Sequence, residues 1–431
     1  MLMPVLSDIF PRMVLMRQKL YRAALSDQQI ADLVRQEIRN LKLKERVKAG
    51  GRVAIPCGSR GISSIALILK TLIDEIRNEG FDAFLFPAMG SHGGATAEGQ
   101  RAVMASLGVT EEYAGCKILS SMETVVLGQT RDGLTVYLDK HAAAADAIIV
   151  VNRVKPHTNF RGDWESGLFK MMAIGMGKHD QAIAIHRHGV VGLRDYMPEV
   201  ARTVLRKAPV VAGVAILEDA CHAVCKVVGL RADEIETREH DLLNEVRETS
   251  PRLPIKEVDL LIVDQIGKEI SGMGMDSNVT GRCGLVDNKY FPEPNVRIIL
   301  AMDLSEKTHG NATGMGVADL ITRRLVEKID WKVTYMNCLT GLGTQQASMP
   351  YPAETEREAV RVALDYLVAH VPLDELKAIR IRDTLSLETM WVSEAVQRQL
   401  AGKPDYSFED EISEMNFAAD GRLPNLWDAA H

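Results

Sequence analysis

The sequence predicts an α/β protein of two lobes, each built on a mostly parallel sheet, with an active-site cleft between them. Three observations predict this. Short apolar strands alternate with helix-length amphipathic segments. Gly-rich loops stand at the carboxyl ends of the first strands. The alternation breaks at Ser250-Pro251 and Leu253-Pro254 and then begins again. The length of 431 residues suits two to three domains of about 150 residues each. Residues 1–253 are expected to form an N-terminal cofactor-binding α/β domain and 254–431 a C-terminal α/β domain.

The elements follow in order. Residues 52–56 (RVAIP) are a buried strand, and 63–78 (SSIALILKTLIDEIRN) a helix that Ser63 can cap and Gly80 ends. Residues 82–87 (DAFLFP) are the next strand and 97–107 the next helix. Strands are expected at 147–152 and 209–217, and a charged helix over 230–253. In the second half, strands are expected at 258–264, 296–301, 332–337 and 378–383. Helices are expected near 317–329 and 354–369.

Composition excludes several function classes. With 46% hydrophobic and 25% charged residues, a large core is available, so the chain is neither disordered nor collagen-like. Lys plus Arg is 51 against 58 Asp plus Glu, a net charge of −7. Spread over the whole chain, this offers no general field for nucleic acid or an anionic membrane. The six cysteines form no C-x-x-C pair, and Cys221-His222-x-x-Cys225 lacks a second ligand pair for structural zinc. Reduced thiols and the absence of an export signal point to the cytoplasm. Asp8, Pro11, Arg12 and Arg17 interrupt the apolar N-terminus, and no span of membrane length occurs.

Three loops collect the chemistry. In Cys57-Gly58-Ser59-Arg60-Gly61, a helix N-terminus and the Arg60 fork suit a carboxylate or phosphate. In Gly90-Ser91-His92-Gly93-Gly94, the same sheet edge presents a histidine, so an anion clamp and a proton-transfer group stand together. The third stretch, 152–189, holds His157, His179, His186 and His188 with Lys155, Arg161, Lys170, Lys178 and Arg187. A long polar, Gly-punctuated segment directly after a buried strand points to function. Imidazole serves equally as acid–base or as ligand to nickel, zinc or copper. No H-E-x-x-H or carboxylate cluster joins these histidines, so the residues alone leave both roles open.

Together the three loops resemble the nickel-dependent lactate racemase family. The family's G-T-H turn is matched by Gly90-Ser91-His92. Its P-H-F-x-x-G-Y-S-G-G-x-K run is matched by Pro156-His157 through Gly162 and Ser166-Gly167 to Lys170. The Gly turn at Ile174-Gly175 follows, and His186 stands where the family has a metal-ligand histidine. The resemblance implies a nickel-pincer nucleotide cofactor, with Lys170 as its anchor and His186 as ligand to its nickel. Gly90, Ser91, Gly93, Gly94 and Gly175 would line it. His92 and His157 would be the opposed acid–base pair for inversion at C2 of a 2-hydroxy acid, each titrating near neutral pH. Arg60 would hold the substrate carboxylate. Cofactor-synthesis proteins are then implied partners, and a homo-oligomer is compatible.

The departures mark a diverged member whose substrate is not lactate, a sugar acid being one candidate. The stretch from His157 to Lys170 is about three residues longer than the family's. It contains Arg161 and Trp164, candidates for the substrate pocket. Cys57 replaces the first loop's aspartate. In the second half Lys268, Asn278 and Arg282 are the candidate substrate contacts. Two alternatives stay open: the same cofactor chemistry with a net redox or dehydration outcome, and a non-catalytic nucleotide- or anion-binding protein.

Overall fold

The computed structural model describes residues 9–59, 61–284, 291–340, 343–425 and 427; Arg60, the expected carboxylate clamp, lies outside them. The chain divides into two compact units, one of Tyr21–Ser250 and one of Met1–Leu20 with Pro251–His431. The expected division at 253/254 therefore falls three residues late. It also misassigns the first residues, because strand β1 (Arg12–Gln18) pairs within the C-terminal unit.

In the unit Tyr21–Ser250, β2 (Arg52–Cys57), β3 (Asp82–Pro87), β6 (Ala147–Arg153) and β7 (Val210–Glu218) are parallel. The strand β8 (Val224–Arg231) is antiparallel to β7, in the order β3-β2-β6-β7-β8. Strands β4 (Thr124–Gln129) and β5 (Thr135–Asp139) form a separate hairpin. Side chains alternate along each central strand. Val53, Ile55, Ala147, Ile149 and Val151 enter a core that includes the helices Asp27–Leu41 and Ile65–Asn78. Ala54, Ile148 and Val150 enter the opposite core, with the helices Met197–Lys207 and Ile235–Thr249. Both faces being covered explains why these strands read as unbroken apolar runs. The expected helix 230–253 is shorter at both ends, because its first residues complete β8.

The order also locates the site. From β2 the chain crosses to β3 on one side, and from β6 to β7 on the other. The switch point of the parallel sheet lies between β2 and β6, and ligands bind in such sheets outside the carboxyl ends at the switch.

The second unit carries an eight-stranded mixed sheet. Strands β9 (Glu257–Val263), β10 (Asn295–Ala301), β11 (Leu320–Thr322), β12 (Tyr351–Ala353) and β13 (Ala378–Ile381) are parallel. Beyond β13, β14 (Thr389–Ser393), β1 and β15 (Tyr406–Glu414) run antiparallel, each to its neighbour. The helix expected near 317–329 opens instead as β11 and becomes helical only over Arg323–Glu327, where Thr322 caps Leu325 N at 3.2 Å. The strand expected at 332–337 is a helix, Trp331–Thr340. Asp330 Oδ1 accepts from Val333 N at 3.0 Å and Asp330 O from Thr334 N at 2.9 Å, closing a first turn that overrides the β-branched side chains. No described helix is long and apolar enough to cross a membrane.

Candidate active site at the carboxyl edge of the first sheet

The loop after β2 and the loop after β3 meet through a short hydrogen bond between Ser59 Oγ and His92 Nδ1. The hydroxyl can donate or accept, so it orients the ring in either tautomer. Ser91 and His92 are exposed. Gly90 is buried, at φ +59°, where a Cβ would lie 3.2 Å from Ile174 and 3.4 Å from Ala182. A side chain there would press on both, so the position is closely packed. Gly93 is pressed on Gly99 and Gln100, 2.6 Å from where its Cβ would stand, and shapes the turn into the helix Ala97–Ser106. Gly94, also at positive φ, has open space around its Cβ position.

The His92 loop rests on the segment that carries Lys170 and His186. Gly90 N donates to Gly175 O at 3.5 Å, and a Cβ on Gly175 would lie 2.6 Å from Ala88 O. Lys170 ends a single helical turn, and Met171–Gly175 continue it as a π-helical turn. The helix Lys178–His186 follows.

His186 is the last residue of that helix. Its Nδ1 lies 2.7 Å from Ala182 O. A carbonyl only accepts, so Nδ1 carries the proton and Nε2 keeps the lone pair. Burial pushes this imidazole below its ordinary range; the Ala182 bond opposes the shift and nearby Lys170 adds to it. His186 is thus a neutral ring with its tautomer fixed by a carbonyl, the form in which imidazole binds a metal. Among the described residues no group of three or more His, Cys, Asp or Glu could hold a metal ion. A metal at His186 would take its remaining donors from a bound molecule, and the donor set fits a cofactor that brings its own.

The loop after β6 holds His157. Glu165, fully buried, accepts from His157 N in a short bond and from Gly162 N at 3.1 Å. Arg247 reaches it at 2.6 Å and Arg161 at 3.8 Å. Asn159 N donates to His157 Nδ1 at 3.0 Å, so the neutral ring carries its proton on Nε2. His157 and His186 therefore have opposite tautomers. Lys155 N donates to Ser166 O at 2.8 Å and closes the loop, and Asn152 Nδ2, near the end of β6, donates to Gly167 O at 2.7 Å beside the Lys170 turn. There Glu239, fully buried, accepts from Phe169 N at 3.0 Å, and burial pushes its carboxyl up to about 8.

Other expected contacts have different roles. Trp164 stacks on Phe169 at 5.0 Å, lies under Arg202 at 4.8 Å and donates its indole N–H to Glu236 O at 2.9 Å. Its faces and its donor are used within the chain, not in a substrate pocket. Arg161 pairs with Glu165 instead of reaching outward. Cys57 is buried, its thiol pushed up to about 12 by burial, and is chemically inert.

In the second unit Arg282 binds Asp319 at 2.7 Å and the carbonyls of Val317, Val296 and Arg297 at 2.6–3.3 Å. It braces the start of β10 and is not poised for substrate. Lys268 Nζ donates to Gly272 O at 3.0 Å, and Asn278 Nδ2 to Asp276 Oδ1 at 2.7 Å.

Ser59, Glu165 and Glu239 escaped the sequence reading. The first sits beside Arg60 in a loop already singled out. The acids stand 8 and 70 residues from the backbone N–H groups of His157 and Phe169 that they accept from, in loop and helix contexts where a glutamate reads as surface.

Residues 11–195 match the family described as the lactate racemase N-terminal domain. No curated protein matches the chain. Among solved structures, the lactate racemase apoprotein from Thermoanaerobacterium thermosaccharolyticum is similar in fold. The identity is 13% and the TM-score 0.51, over 86% of this chain and 94% of that one. A Thermotoga maritima protein from a structural genomics programme aligns at 13% identity and TM-score 0.47, over 66% of this chain and 72% of that one.

Proposed function

Because residues 11–195 of this chain match the family described as the lactate racemase N-terminal domain, we propose that it is a racemase or epimerase. Its substrate would be a 2-hydroxy acid, inverted at C2 with the nickel-pincer nucleotide that this family uses. One observation carries the reading. His186, made neutral by burial and locked by Ala182 O, offers Nε2 beside Lys170, on a segment held against the His92 loop. When bound, that cofactor supplies a reversible acceptor for the hydrogen on the substrate carbon. His186 would hold its metal and Lys170 its organic part.

The chain's own residues do the proton work. His92, exposed and oriented by Ser59, takes the hydroxyl proton as the carbonyl forms and returns it in the reverse direction. His157 presents Nε2–H and donates to the developing oxygen. Glu165 and Arg247 hold its backbone so that the ring does not drift.

One observation favours a second reading, the same chemistry with a net redox outcome. His157 can take up a proton only at Nδ1, which breaks the Asn159 bond, so the two histidines are unequal as bases. The test is co-expression with the cofactor-synthesis enzymes, followed by metal analysis and a screen of 2-hydroxy acids for inversion without added oxidant. Near-stoichiometric nickel, lost in His186→Ala, with inversion from both enantiomers, supports the racemase. Nickel with conversion from one enantiomer only supports the second reading. Neither nickel nor nucleotide refutes both.

A further inference from the structure

Lys178 is fully buried, yet it is neither surface nor ligand. It is the first residue of the helix that ends at His186 and sits at φ +55°, a conformation side-chain-bearing residues rarely adopt. A glycine would relieve that strain but would bring no cation. The Lys178 ammonium meets three acceptors: Asp139 at 3.1 Å, Gln100 Oε1 at 3.3 Å and, in a short bond, the carbonyl of Pro87 at the carboxyl end of β3. Asp139 is also fully buried, and its Oδ1 accepts from His141 N at 2.8 Å and Ala142 N at 3.0 Å. Gln100, the third fully buried polar residue, turns its amide to the candidate site. Its Nε2 donates to Gly90 O at 2.8 Å and His92 O at 3.2 Å.

We propose that Lys178, with Asp139 and Gln100, is a positioning residue that sets the His92 loop against the helix bearing His186. The chain of contacts runs from a buried carboxylate through a buried ammonium to an amide, and from the amide to the two carbonyls that flank Ser91. A charge-assisted network without water between its members has one arrangement. The catalytic ring at one end and the metal-binding ring at the other are therefore held by a single polar core that touches neither ligand. This rests on the assignment of His92 and His186 above, but the device itself is readable without cofactor or substrate.

The test uses the full chain without cofactor, with ring-nitrogen NMR of 15N-labelled histidines to read tautomers. Gln100→Leu removes both loop bonds at nearly constant volume and takes one acceptor from Lys178, whose ammonium keeps Asp139 and the Pro87 carbonyl. The Ser59–His92 contact is expected to shift roughly tenfold toward its open form, the scale of one lost hydrogen bond, read from the His92 ring-nitrogen shifts. Ser59→Ala should move those shifts the same way, while His186 keeps its Nδ1–H signature and the thermal melt stays cooperative. Lys178→Met combined with Asp139→Asn should reproduce the His92 change. Wild-type His92 signals in both folded variants overturn the proposal. So does a Gln100→Leu chain that fails to fold, since the residue would then be structural. Neither outcome touches the nickel and inversion measurements, so the two ideas fail separately.

Discussion

Replacing Glu239 with Gln should change the pH dependence of stability and not merely its level. The carboxyl is fully enclosed; Oε2 accepts from Phe169 N, and Oε1 has no hydrogen-bond partner among the described residues. Burial lifts its pKa from 4.5 to about 8 against the pull of the Phe169 and Leu168 amides. The folded chain therefore holds a proton that the unfolded chain has released. The resulting stabilisation is full below about pH 4.5 and is lost as pH rises through about 8. At about 1.4 kcal/mol per pH unit, that interval corresponds to about 5 kcal/mol. A glutamine keeps the acceptor and cannot ionise, so this slope disappears. Guanidinium midpoints for both chains at pH 5 to 9 provide the assay. The variant should be equal or slightly weaker at pH 5, where its amide stands beside Gly167, and stronger than wild type above pH 8. A constant offset at every pH would refute the reasoning.

Gly167→Ala would set a Cβ 2.2 Å from Glu239 Oε1. It should cost about 1–3 kcal/mol by overpacking, seen as a lower thermal midpoint. Glu165→Ala removes the acceptor of His157 N, Gly162 N and Arg247 together. It should cost about 3 kcal/mol or more and make residues 157–164 more open to limited proteolysis than in wild type. Arg282→Ala should destabilise the C-terminal unit by about 2 kcal/mol through the carboxylate and carbonyls it leaves behind. In a loaded protein it should leave nickel content unchanged, which metal analysis checks.

Much of the first sheet was legible because its strands are buried on both faces. Val53, Ile55, Ile148 and Ile149 admit no reading but interior, and Gly80 and the 90–94 glycines mark their ends. Trp331–Thr340 was misread because Val333, Thr334 and Tyr335 have strand propensity, whereas Asp330 supplies a helical start whose energy lies in two specific bonds. The short strands β11, β12 and β14 carry too few residues for a period to register. At the site, histidines are visible in sequence because the residue is rare and chemically narrow. Their supports are not: Glu165, Gln100 and Asp139 are ordinary polar residues, and only folding reveals that they are dry. Lys178 is hidden for the same reason, being in sequence one cation among several in 152–189. Arg282 and Trp164 erred the other way, since a fork of donors or an indole suits a ligand as well as a carbonyl, and nothing local says which is nearer.

Strand β1 gives the chain a timetable. Its segment Met13-Val14-Leu15-Met16 is wholly buried between β14 and β15, yet it leaves the ribosome more than 370 residues before β14 does. At roughly 5–20 residues per second, this apolar ribbon stays unpaired for roughly 20 to 70 seconds while Tyr21–Ser250 already has all its own strands. Nascent-chain protection would therefore matter most over β1. A nick or bulky fusion near residue 12 should weaken the unit at the far end of the sequence and spare the one next to it.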